Sequence, residues 1–213
     1  MPDVLPTGTV TMLFTDIEGS TRLLSHLGPA RYADVLSTQR RIIRSAVNAA
    51  GGYEMGTEGD SFFVVFPSAR EAVGAALSAQ RQLTASPWPD GPARVRMGLH
   101  TGEPRRHEDG YVGLDVHRAA RIAAAANGGQ VVVSETTRRL VADELPEGAA
   151  VRDLGWHRFK DLADAEHVYQ ITATGIEDRP LPLRSLGTRA NLPTPLSALI
   201  GRASCRERVF RTV

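Results

Sequence analysis

Asp16 lies in the run Leu13-Phe14-Thr15-Asp16-Ile17-Glu18-Gly19-Ser20-Thr21, where an alternating apolar segment gives way to a helical one. A carboxylate at such a junction offers hard oxygen ligands suited to Mg2+. The backbone N–H groups that follow it are free to face an anion, because the first turn of a helix has unpaired donors. Metal and phosphate could therefore meet there, although an aspartate that only caps the helix gives the same local pattern. Asp60 follows Gly59 in the short connection Glu58-Gly59-Asp60 between two strand-like runs. Two carboxylates brought to one end of a sheet form a divalent-cation site of the kind that organises phosphoryl transfer. An ordinary turn aspartate is the alternative reading of Asp60. His117 and Arg121 are four residues apart and share one helix face. A guanidinium on that face can stabilise charge developing on a phosphate, and a surface arginine paired with a nearby acid is its alternative.

The elements that must position these groups follow from periodicity. Val10, Met12 and Phe14 alternate as in a half-buried strand. Tyr32, Val35, Leu36, Gln39, Ile42, Ile43, Ala46 and Val47 recur at helical spacing; only Gln39 breaks the apolar stripe, and Gly51-Gly52 ends it. Tyr53–Thr57 and Ser61–Phe66 read as a hairpin, the second run being apolar on both faces and so expected as a central, buried strand. Ser68 and Glu71 have capping-box spacing at the head of a second helix. Val95, Met97 and Leu99 point inward from the next strand, and Glu103 to Gly110 reads as a polar loop. A helix from Val116 to Asn127, a short strand over Gln130–Val133, a helix capped by Ser134, and strands near 156–159 and 167–172 complete the folded part. The order predicts an α+β fold. Its core is a ferredoxin-like split βαβ unit: a mostly antiparallel sheet with helices packed on it, plus extra C-terminal strands. Residues 1–174 are expected as one domain, and 175–213, where prolines and glycines replace periodicity, as a linker or tail.

Composition sets limits. The 213 residues include 42% hydrophobic residues, and 25 Lys+Arg balance 24 Asp+Glu to a net charge of +1. That is no footprint for a general nucleic-acid binder, and the strand aromatics read as core-facing rather than as a stacking platform. Cys205 is the single cysteine, so no internal disulfide is expected. No signal peptide and no membrane-length apolar run is visible, which predicts a cytoplasmic protein with no membrane partner.

The residues quoted above carry a resemblance. Phe14-Thr15-Asp16-Ile17-Glu18-Gly19-Ser20-Thr21 resembles the first metal motif of class III adenylate and guanylate cyclases, and Glu58-Gly59-Asp60-Ser61-Phe62-Phe63 resembles the second. Arg96 to Gly102, Val116-His117-Arg118-Ala119-Ala120-Arg121, Gly129 to Ser134 and Leu154 to Lys160 continue the similarity in order, over about residues 8–173. The resemblance implies a homodimer with active sites across its interface and a nucleoside triphosphate as substrate. Two divalent cations, Mg2+ or Mn2+, would be held by Asp16, Asp60 and the Ile17 backbone carbonyl. It implies nucleotide contacts from Glu18, Gly19, Ser20, Thr21 and Gly59, a transition-state role for Arg121 with His117 beside it, and a triphosphate contact from Lys160.

Three positions depart from the family pattern. Adenine-selecting members carry a lysine where this chain has Gly56, and an aspartate or threonine where it has Gly110, unless Asp109 serves instead. The asparagine that orients the ribose is His117 here. Glycines cannot read a base through side-chain hydrogen bonds, so selection between purines should weaken. The sequence therefore supports an active adenylate cyclase-like enzyme with an unusual base pocket. A degenerate nucleotide-sensing or dimerising module is the alternative. Residues 191–202 resemble the lead-in to an ATPase domain in large bacterial transcriptional regulators with an N-terminal cyclase domain, but no phosphate-binding GxxxxGK[ST] loop follows.

Overall fold

The structure, a computed structural model, describes residues 5–108, 110–178 and 180–188. The predicted order is present: β1 (Val10–Ile17), α1 (Ser20–Ala49), β2 (Tyr53–Glu58), β3 (Ser61–Phe66), α2 (Ala69–Ala85) and β4 (Val95–Gly102). Then come β5 (Arg105–His107), β6 (Gly110–Val112), α3 (Leu114–Ala125), β7 (Val131–Ser134), α4 (Glu135–Leu140), β8 (Ala149–Arg158), β9 (Glu166–Ala173) and β10 (Gly187–Thr188). The main sheet runs β10-β8-β9-β7-β4-β1-β3-β2, and its β4-β1-β3-β2 part is the split βαβ core. The pairs are antiparallel except β4 with β7, which are parallel because α3 crosses over between them.

Alternation along the strands gives the sheet two different faces. Leu13 and Ile17 of β1 and Phe62, Val64 and Phe66 of β3 join Ile42, Ile43 and Leu77 in the main core, under α1 and α2. Fully burying side chains such as Phe62 and Phe66 contributes about 1.5–3 kcal/mol each. The other residues of the same strands, Val10, Met12 and Val65, meet Ala119 of α3 on the opposite face. Ser68 accepts the Glu71 amide and Ser134 the Thr137 amide, capping α2 and α4 as their spacing predicts.

Four details differ from the sequence reading. β3 is flanked by β1 and β2 but lies second from the edge, not in the middle, since the C-terminal strands all add beyond β4. Within Glu103–Gly110, expected as loop, β5 forms and pairs with β6 in a separate hairpin, whose short and charged first strand shows no alternation. Phe62 and Phe66 do face the core, but Phe14 and Phe63 stack on the α3 face, 4.4 Å between centroids and only partly buried. The first helix starts at Ser20 and is broken at Gly28 (φ 76) before Pro29, so it is two helices end to end. The ATPase-like stretch at 191–202, Cys205 and Asp109 fall outside the described residues.

Candidate active site

Asp16 is the penultimate residue of β1, directly opposite Arg96 of β4. The Arg96 guanidinium grips its carboxylate, with Nε 3.2 Å from Oδ2 and a second, shorter contact through Nη2. Asp16 is therefore not a helix cap: the cap position of α1 is Gly19, in a left-handed conformation, which makes no side-chain cap bond. The first-turn amides of α1, across Ser20 and Thr21, have no acceptor within the helix itself.

Asp60 sits in the two-residue turn between β2 and β3, where Gly59 supplies a positive φ of 60°. Its Oδ2 accepts the Ile17 amide at 2.8 Å, which stitches the turn to the end of β1. From below, α1 holds the turn backbone: Gln39 Nε2 donates to the Asp60 carbonyl at 2.8 Å and Arg40 Nη2 to the Gly59 carbonyl at 2.6 Å. Burial, and then the neighbouring Asp16, push the Asp60 carboxyl up to about 6. Burial and then the Asp60 charge likewise raise the Tyr32 phenol, with Asp16 adding to the effect. The Asp60 carboxyl, raised by burial and by Asp16, and the Asp16 carboxylate beside it make a hard-oxygen donor set that a divalent ion fits. Among the described residues no group of three or more His, Cys, Asp or Glu gathers to hold a metal.

The second half of the site rides on α3. Every outward residue of β4 is fitted to that helix. A Cβ on Gly98 would lie 2.2 Å from the Ala123 nitrogen, and one on Gly102 would lie 2.3 Å from Asp115 Oδ2. Between them, buried His100 bridges Ser134 Oγ (2.8 Å) and Asp115 Oδ1 (3.2 Å), and burial lowers the proton affinity of its ring. Arg96 adds a bond to the Ala124 carbonyl at 2.9 Å, so one side chain touches both Asp16 and α3. Arg121 reaches out from α3 and pairs with Asp161, while remaining partly exposed. The surface-pair alternative thus describes its resting contact. Arg121 and Lys160 line one cleft of about 170 Å3 together with Arg184, Phe159 and Leu186; neither Asp16 nor Asp60 is among its lining residues. His117 lies exposed on α3, one turn before Arg121.

The remaining positions are placed as follows. Glu18 is bound by the Arg184 guanidinium. Gly56 lies in β2 with no atom within 4 Å of a built Cβ, and Gly110 meets only the His107 carbonyl at 3.9 Å. Neither needs the left-handed region, so both have room for a side chain that the chain does not supply. Sequence reasoning missed Arg96, Arg40, Tyr32 and Arg184, whose contacts depend on strand register and on chain ends far apart. Gln39 did leave a signal: the one polar residue in an apolar stripe is fully buried and anchors the Asp60 turn.

Residues 3–171 match the family described as adenylate and guanylate cyclase catalytic domain. An uncharacterized protein of Mycobacterium tuberculosis is 37% identical over 201 residues, which span 92% of this chain and 68% of that protein. An adenylate cyclase of Lachancea kluyveri is 36% identical over 155 residues, 61% of this chain but 8% of that enzyme. Among solved structures, an adenylate cyclase of Trypanosoma brucei, studied in its monomeric state, superposes with a TM-score of 0.75. It is 27% identical, with 87% of this chain and 98% of that one covered.

Proposed function

The chain belongs to the family of adenylate and guanylate cyclase catalytic domains, and we propose that it converts ATP to cyclic AMP and pyrophosphate at a site shared between two copies of itself. The observation that carries this is the pairing of Asp16 with Asp60 at one end of the sheet, apart from the cleft that holds Arg121 and Lys160. Carboxylates and cations divided in this way make one complete site when a second copy brings its cleft to the first copy's aspartates. The partly exposed Phe14–Phe63 stack on the α3 face supplies apolar surface for that approach.

In this reading Asp16, Asp60 and the Ile17 carbonyl hold two divalent cations, whose charge would ease deprotonation of the ribose 3′-hydroxyl and neutralise phosphate oxygens. The amides at the head of α1, near Gly19, Ser20 and Thr21, donate to phosphate oxygens. Arg121 exchanges Asp161 for the α-phosphate and stabilises the charge that builds as the 3′-oxygen bonds to phosphorus. Lys160 binds the pyrophosphate that departs, and the 3′ proton passes to water. His117 donates a hydrogen bond to the ribose.

A second reading, a weak or inactive nucleotide-sensing module, is favoured by the empty space at Gly56 and Gly110 and by Arg96 gripping Asp16. One assay separates the two. Purified protein is incubated with ATP or GTP and Mn2+ or Mg2+, and cyclic nucleotide and pyrophosphate are quantified. Equal amounts of both products, absent from Asp16→Ala protein, support the enzyme; nucleotide binding without product supports the sensor.

A further inference from the structure

The family match ends at residue 171, yet the chain does not leave the domain there. Residues 180–188 run back across the end of α3 as a strap. The Arg184 amide donates to the Ala125 carbonyl at 2.9 Å, satisfying the last residue of α3, and the Leu186 amide donates to Arg158 at 2.9 Å. Asn127 Nδ2 holds the Pro182 carbonyl at 3.0 Å, and Leu183 packs on the Ile122–Phe159 cluster. Gly187 and Thr188 then add to β8 as the edge strand β10. With its backbone fixed on both sides, Arg184 lines the Arg121–Lys160 cleft and sends its guanidinium to the Glu18 carboxylate, 166 residues earlier in the chain. Glu18 belongs to the turn that follows Asp16 and Ile17. Its own amide bonds to the Arg94 carbonyl at 2.8 Å, and its side chain lies so close to Gly128 that a Cβ there would sit 2.8 Å from Oε2.

We propose that Arg184 is a positioning residue for the cyclase site: it latches the β1–α1 turn, through Glu18, to the strap that closes the Arg121–Lys160 cleft. An exposed ion pair contributes little to global stability. Its effect here is geometric, because it removes freedom from the turn that carries the metal-binding strand end and ties that turn to the helix bearing Arg121. The matched family span, residues 3–171, contains Glu18 but not Arg184, so the latch ties the domain to a segment beyond that span. The inference rests on the cyclase reading only for its catalytic consequence, and the structural consequence is testable without turnover.

The experiment compares the full chain with Arg184→Gln and Arg184→Lys. Amide hydrogen exchange over residues 17–22 is followed without metal, Mn2+ binding is titrated alone, and kcat and KM are measured with ATP. Arg184→Gln should speed exchange in the turn by about tenfold while α2 and β2 stay unchanged. It should also weaken Mn2+ binding about threefold to tenfold and lower kcat with KM within about twofold of the native value. Arg184→Lys should restore most of each. Unchanged exchange in the turn overturns the latch. So does faster exchange throughout the molecule, which marks a merely stabilising strap. A rise in KM with the turn undisturbed also overturns it, since Arg184 would then contact the triphosphate itself. If the native protein forms no cyclic product, the cyclase reading fails while the exchange and Mn2+ results still decide the latch.

Discussion

The Asp60 carboxylate accepts the Ile17 amide at 2.8 Å, a bond that joins the tip of one hairpin to the end of a strand 43 residues earlier in the chain. This contact, with Gln39 and Arg40 gripping the turn backbone, brings two aspartates together that have no metal-binding character singly.

Keeping Asp60 ionised beside Asp16 has a cost when no cation is bound. Its carboxyl titrates at about 6 in the folded chain, above the ordinary 3.8. The folded state therefore binds the proton more tightly than the unfolded state. The associated stability is fully present below pH 4 and is lost as the pH rises through 6. Asp60→Asn keeps an oxygen to accept the Ile17 amide and removes the charge. Metal-free Asp60→Asn should be more stable than the native chain at pH 7.5 by about 1 kcal/mol, a value discounted because the group is half exposed. The two should be nearly equal at pH 4. Thermal melts at both pH values in chelator check this, and the same variant should lose Mn2+ binding.

Gly98 is where α3 rests on β4. Gly98→Ala places a methyl 2.2 Å from the Ala123 nitrogen, against backbone that cannot rotate away. The substitution should cost about 1–3 kcal/mol in denaturant unfolding. Any folded protein should turn over more slowly, because Arg121 rides on the displaced helix. Gly56→Ala, with open space around it, should change stability by less than about 0.5 kcal/mol and serves as the control.

The base pocket should discriminate poorly. Gly56 and Gly110 leave room and offer no side-chain hydrogen bond, so ATP and GTP should be used within about tenfold of each other, roughly 1.4 kcal/mol. Gly56→Lys with Gly110→Asp fits both positions without backbone strain and should shift preference toward ATP. Steady-state kcat/KM for both nucleotides measures this. A native preference for ATP of about a thousandfold would mean that backbone groups read the base.

Much of this was legible in the sequence because the repeats mark the elements: β1 and β4 alternate, β3 is a continuous apolar run, and α1 and α2 each carry an apolar stripe. That Asp16 and Asp60 come together at one end of the sheet was readable because each sits at an element boundary, where a side chain can leave the core. What was not legible depends on register and on distant contacts. Arg96 meets Asp16 only because residues 80 positions apart fall opposite each other in β1 and β4. The hairpin over 105–112 is too short and too exposed to leave a pattern. The strap at 180–188 is held mainly by backbone hydrogen bonds, which composition does not reveal.

The central claim is that two copies of the chain complete each other's site. It is tested most directly by mixing Asp60→Ala protein with Arg121→Ala protein and measuring cyclic nucleotide formation. Each variant alone should be inactive. In an equal mixture that exchanges subunits freely, half the dimers are mixed and each holds one intact site of two, so about a quarter of native activity should return. No recovery in a mixture shown to contain mixed dimers would contradict the shared site and place aspartates and arginine in the service of a single chain.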